Sequence, residues 1–195
     1  MTLRARITAP PTVLAVTVAE LKSQTRFDWD EEDGYLETLL KAAITHLEQI
    51  SGRAFVSQTM VQSFDECCGV LQLARGDLIS IESITYYDAD GASQTADAGI
   101  YDGYTDYAGP FVALKAGESW PATATRPDAV TVTWKAGFGA AATSVPDDIK
   151  HAIKLLAAHW HKNREAVGEA VAKGGFEELP LGVKALISSY RIMFV

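Results

Sequence analysis

Apolar and polar positions alternate along this chain in two rhythms, and they switch twice. Leu36, Leu39, Leu40, Ala43, Ile44, Leu47 and Ile50 recur at helical spacing and form one apolar stripe, which predicts a helix over about 31–51 with Gly52 as its stop. The acids of the preceding Phe27–Asp33 stretch suit a positive helix N-terminus, and Asp30 is the expected cap. Upstream, Thr17-Val18-Ala19-Glu20 reads as a capping box opening a short helix over about 18–24. Met1–Val16 is rich in Thr, Pro and Ala. Pro10-Pro11 bars a regular helix, so it is expected to be an extended arm.

After Gly52 the period shortens to two. Val56–Phe64, Val70–Leu73, Ile79–Tyr87, Phe111–Leu114 and above all Ala129–Trp134 read as strands, with Asp88-Ala89-Asp90-Gly91 as a hairpin turn. Tyr101–Tyr107, dense in Gly, Asp and Tyr, reads as irregular. Helical spacing returns at Ile149, Ala152, Ile153, Leu156, Ala157 and Trp160, after Ser144-Val145-Pro146-Asp147-Asp148 as a start signal with Ser144 as its cap. Gly174-Gly175 marks a loop, and Leu179-Pro180 opens a last helix with Val183, Leu186, Ile187 and Tyr190 on one face. The expectation is an α+β fold: a helical core with an inserted small, mostly antiparallel β-sheet module. In residue terms it is an arm over 1–16 and one domain over 17–195, with helices over about 18–52, the β module over 55–136 and helices over 145–194.

Nearly half of the 195 residues are apolar, enough for a sizeable core, and no apolar run is long enough to span a membrane. The first 17 residues show no apolar signal-peptide region, so a cytosolic chain is expected. A formal charge of −8 with scattered bases argues against a protein that grips nucleic acid. It is compatible with one that lets DNA slide past.

No motif for chemistry is complete in this sequence. Cys67 and Cys68 are adjacent, and no second pair exists to complete a zinc site. Asp88-Ala89-Asp90-Gly91 starts like a Ca²⁺ loop, but Ala92 and Gly99 occupy later ligand positions. His151, His159 and His161 are spaced by eight and two, so they do not converge on one helix face, and His46 is isolated. No nucleophile elbow, Walker loop or dinucleotide fingerprint is present, and Gly137-Phe138-Gly139 reads as a flexible link. The acids over 28–33 are explained by helix capping rather than by catalysis. No catalytic, cofactor-binding or metal-binding residue is therefore expected. Two features suggest contact surfaces instead: the tyrosines Tyr86, Tyr87, Tyr101, Tyr104 and Tyr107, and the apolar end Tyr190-Arg191-Ile192-Met193-Phe194-Val195. That end docks either on the chain's own core or on a partner.

The ordered set of segments resembles a known family. It comprises Val18–Lys22, the acid-opened Leu-rich helix, Ser51–Ala54, Gly76–Gly91, Ser119–Pro121, Val130–Gly139, Val145–Lys150, Ala157–Ala166 and the Leu-Pro-Leu-Gly-Val-Lys-Ala-Leu-Ile helix. It resembles the phage head–tail connector family, the gp6-like or DNA-packaging adaptors, including adaptors of gene transfer agents, across residues 17–192. The resemblance implies a structural, non-enzymatic virion protein of the neck, assembled in the cytoplasm of the bacterial host. About twelve subunits would ring the underside of the portal protein, prolong the DNA channel with an acidic wall, and dock the next tail or head-closure protein. It implies no cofactor, no membrane and no specific DNA binding, and it gives Tyr190, Arg191, Ile192, Met193, Phe194 and Val195 to portal docking. Weighed against it are a neighbouring head-closure or tail-completion protein and, more distantly, a metal-dependent hydrolase built on His151, His159 and His161.

Overall fold

The computed structural model describes residues 4–26, 30–67, 69–164 and 181–192. Its elements run β1 (Arg4–Ala9), α1 (Val18–Thr25), α2 (Asp33–Ser51), β2 (Gln58–Phe64), β3 (Leu71–Gln72) and β4 (Leu78–Tyr87). β5 (Ser93–Thr95), β6 (Tyr101–Asp106), β7 (Gly109–Leu114), β8 (Val130–Ala136), α3 (Asp147–Lys162) and α4 (Leu181–Ser188) follow. The fold is α+β: β1 precedes α1 and α2, the antiparallel strands β2–β8 follow, and α3 and α4 come after them. The chain forms two compact units, one of helices and one of strands.

The helical unit draws on Val13–Ser51 and Ala141–Arg191. α1 opens as its sequence dictates: the Thr17 hydroxyl accepts from the Glu20 amide at 3.2 Å, and Glu20 accepts from the Thr17 amide at 2.7 Å. The apolar stripe of α2, through Leu36, Leu40, Ala43, Ile44 and Leu47, is buried. So is the stripe of α3, through Ile149, Ala152, Ile153, Leu156 and Ala157, and α2 packs on α3. Two boundaries differ from expectation. α2 begins at Asp33, and Asp30 bonds to Lys22 at 2.6 Å instead of capping α2 with its side chain. α3 takes Pro146 as its N-cap, because Ser144 is used up in a short 3₁₀ turn, Ala142–Ser144. Asp147 and Asp148 still occupy the positive first turn.

The sheet unit holds Gly52–Ala140, the chain before Val13 and Ile192. It contains two sheets: five antiparallel strands in the order β1-β2-β8-β4-β5, and three in the order β3-β7-β6. β2 and β8 alternate strictly between buried and half-buried positions, which puts Met60, Phe64, Val130, Val132 and Trp134 on one face. Those side chains share a core with Ile84 and, from the smaller sheet, Leu71, Tyr101 and Val112. Buried Gln62 ties the sheets together: its amide nitrogen donates to the Gln72 carbonyl at 2.9 Å, and its oxygen accepts from the Ala74 amide at 2.8 Å.

Three sequence expectations change here. The arm is extended, but Arg4–Ala9 is a full edge strand paired with β2. Tyr101–Asp106 is not irregular: it is β6, paired along its length with β7. Gly137-Phe138-Gly139 is not a loose link. The Gly137 amide donates to the Asp77 carbonyl at 2.9 Å and the Phe138 amide to the Phe55 carbonyl at 3.1 Å, while the Gly139 carbonyl accepts from Ser57 at 2.9 Å. The Asp88–Gly91 turn forms as expected, with Gly91 at φ 81°. Ser51–Ala54 and Gly76–Gly91, far apart in sequence, meet: the Ala54 amide donates to the Gly76 carbonyl at 3.1 Å, and Arg53 forms an ion pair with Asp77.

Candidate functional site

The four histidines do not assemble a metal centre. Among the described residues no three His, Cys, Asp or Glu side chains are placed to hold an ion. His46 tilts against Trp160 with ring centroids 5.8 Å apart, and His161 turns to a carboxylate. Cys68 lies outside the described residues. No helix among them is long and apolar enough to cross a membrane.

A polar cluster in the helical unit is built on Glu32. Its carboxylate accepts from His161 Nε2 at 2.9 Å and pairs with Arg164, whose guanidinium lies over the Tyr35 ring, 5.0 Å from its centroid. An ionised carboxylate only accepts, so this bond uses the imidazole form with its proton on Nε2; Arg164 Nη2 also lies 3.1 Å from that nitrogen, and the roles there depend on the tautomer. The sequence hinted at this only through the acid run before α2, whose acids serve as ion-pair partners: Lys22 also bridges Asp30 at 2.6 Å and Asp33 at 2.5 Å. Bonding to Arg164, then to His161, holds the Glu32 carboxyl down to about 2, from an ordinary 4.5. A depressed carboxylate stabilises the folded state above its unfolded value, and that contribution is lost as pH falls through the folded one. The thermal stability advantage of the wild-type chain over Glu32→Gln should thus shrink between pH 4.5 and 2, in circular dichroism melts. A constant difference across that window would show that the cluster contributes nothing through charge.

The tyrosines divide by environment. Tyr101 is in the core and stacks on Trp120, whose indole N–H donates to the Gly69 carbonyl at 3.0 Å. Arg126 lies over the ring of Tyr87, 4.1 Å from its centroid. Tyr104 stacks on Phe111 at 5.4 Å yet stays 46% exposed, and Tyr107, at the tip of the β6–β7 hairpin, is 88% exposed. An aromatic side chain as exposed as Tyr107 at a hairpin tip suits a contact surface.

At the other end of the chain, Tyr190 and Arg191 close the last turn by amide bonds to the Ile187 and Ser188 carbonyls. Arg191 is exposed, and Ile192 is buried at 6%. Its Cδ1 lies 2.6 Å from where a side chain on Gly76 would begin, so the bare glycine is what admits it. Of the two docking options read from the sequence, Ile192 takes the chain's own core. Met193, Phe194 and Val195 lie outside the described residues.

The fold that carries these surfaces has known counterparts. Residues 129–191, covering β8, α3 and α4, match the family described as phage gp6-like head–tail connector protein. That stretch of the chain is thus similar to the gp6-like head–tail connectors. A comparison with curated proteins returns no match. Among solved structures, this chain is similar to a chain in the virion of a native gene transfer agent particle. The two are 25% identical, with a TM-score of 0.80 over 98% of this chain and 96% of that one. It is also similar to a chain in the neck of the empty particle, solved with C6 symmetry (25% identity, TM-score 0.79, 100% and 97% covered). A third similar chain is in the neck of the native particle, solved with C12 symmetry (26%, 0.73, 100% and 97%). The connector is thus a structural protein of the α+β class, not an enzyme.

Proposed function

We propose that this connector forms a ring beneath the portal of a tailed phage or gene transfer agent, prolongs the DNA channel, and offers a docking surface to the next tail or head-closure component. The observation that carries the reading is the likeness over essentially the whole chain to neck subunits, one of them in a particle neck of C12 symmetry. About twelve copies in a closed cyclic ring follow by analogy with that symmetry. The charge of −8 supports a channel that lets DNA pass without holding it. Subunits assemble in the host cytoplasm and end in the virion neck. Residues 190–195 dock on the portal in this reading. Buried Ile192 anchors the segment, while Arg191 and the residues beyond it supply the contact.

Electron microscopy with native mass determination tests this, on the connector alone and mixed with its cognate portal, beside a truncation ending at Ser189. A ring of defined order, alone or on the portal, is the expected result, with portal binding lost in the truncation. A connector that stays monomeric and ignores the portal would overturn the adaptor reading in favour of a head-closure or tail-completion role. A truncation that still binds would remove the C-terminal segment from the contact.

A further inference from the structure

Two end strands of the sheets in the strand unit are long and of opposite charge, although β4 touches β6, its Leu78 amide donating to Thr105 Oγ1 at 3.4 Å. β1 ends the five-stranded sheet, and β6 ends the three-stranded one. Each is six residues long, whereas the remaining end strands, β5 and β3, have three and two. β1 reads Arg-Ala-Arg-Ile-Thr-Ala, with two bases and no acid; β6 reads Tyr-Asp-Gly-Tyr-Thr-Asp, with two acids and no base. Arg6 is exposed and has no acidic partner among the described residues. On β6 only Tyr101 is buried. Asp102 meets Lys115 at a loose 3.6 Å, and Asp106 accepts the Ala108 amide at 2.8 Å.

An open edge presents unpaired backbone donors and acceptors and recruits another strand unless charge prevents it. Here charge selects the recruit. Two β1 edges set Arg against Arg, and two β6 edges set Asp against Asp, so the two-fold pairings that would make a closed dimer are repelled. A β1 edge against a β6 edge is attracted. Arg6 stands on the face of β1 opposite Ala5, which packs on the core; Asp102, Tyr104 and Asp106 stand on the face of β6 opposite core Tyr101. Strand addition that keeps cores on one side therefore brings Arg6 beside the two carboxylates and the exposed Tyr104 ring, a partner for a guanidinium. A contact between two different patches is the kind that propagates head to tail and closes into rings.

We propose that neighbouring subunits of the ring join by strand addition, the β1 edge of one copy against the β6 edge of the next. This rests on the ring reading, and the test separates the two. Two charge-reversed variants are made, Arg4→Glu/Arg6→Glu and Asp102→Arg/Asp106→Arg. Each alone carries like-charged edges and should raise the concentration needed for assembly, on the portal or free, roughly ten-fold or more. Mixed in equal amounts, they present complementary edges at every alternating contact and should recover rings of even copy number. Recovery also shows that both variants fold. Wild-type rings that persist in both variants, or two silent variants that stay silent when mixed, would overturn strand addition and leave the ring standing. Wild-type chains that form no ring, with or without portal, would overturn both.

Discussion

Replacing Gly137 by alanine should be among the most damaging single changes in this connector, costing about 3 kcal/mol or more of stability. Gly137 has φ 138°, a conformation that an L side chain rarely adopts. The added Cβ would stand 2.8 Å from both the Ser57 amide nitrogen and the Val56 carbonyl carbon. Those are backbone atoms, which cannot rotate aside as a side-chain tip can. They are also pinned, since the Ser57 amide donates to the Gly139 carbonyl at 2.9 Å. Gly117→Ala is the control: its φ is 87°, but nothing lies within 4 Å of the new Cβ. It should cost only the left-handed backbone penalty, about 1–2 kcal/mol. Urea unfolding followed by circular dichroism measures both. Equal losses at the two positions would show that the contact with residues 56–57 is not what makes Gly137 necessary.

Trp134→Ala should cost a comparable amount, about 3–5 kcal/mol, by emptying the centre of the strand unit. Trp134 is 0% exposed on β8, between Met60 of β2 and Ile81 of β4. Among the described residues its indole nitrogen has no hydrogen-bond partner, so what the residue supplies is volume and apolar area. Trp134→Phe keeps a ring and removes an unpaired N–H, and should lose less than half as much. The same unfolding curves decide it. A Phe variant as damaged as the Ala variant would mean that the indole nitrogen has a water or partner that matters.

Both residues belong to one segment, Val130–Gly139, which the sequence read correctly as a strand and incorrectly as a strand with a loose tail. β8 was legible because its apolar positions alternate without interruption. Nothing local shows that Gly137 lies against Val56 and Ser57, because that contact joins distant parts of the chain. β6 was illegible for a different reason. As an end strand it exposes five of its six residues, so no apolar alternation marks it, and its Gly103 reads as a loop residue. Packing favours that glycine: a side chain there would begin 2.4 Å from Leu78 Cδ2, and the leucine tip would have to move aside. The acids at the start of α2 were read as caps because their charge suits a helix start; their lysine, histidine and arginine partners come from α1, from the last turn of α3 and from just beyond it.

By itself, then, the sequence determined which stretches become helices, most of the strands, the capping box at Thr17, the turn at Gly91 and the absence of any catalytic motif. It also carried the family resemblance, through the order of its segments. These are consequences of local periodicity, backbone preference and side-chain chemistry, which act over a few residues. The tertiary structure decided that β8, the last strand, lies between β2 and β4, and that the strands divide into two sheets. It decided that Ile192 folds back onto Gly76, and that β1 and β6 are left as end strands of opposite charge. Those outcomes depend on which distant surfaces exclude water together and which backbone edges remain unpaired once they have done so.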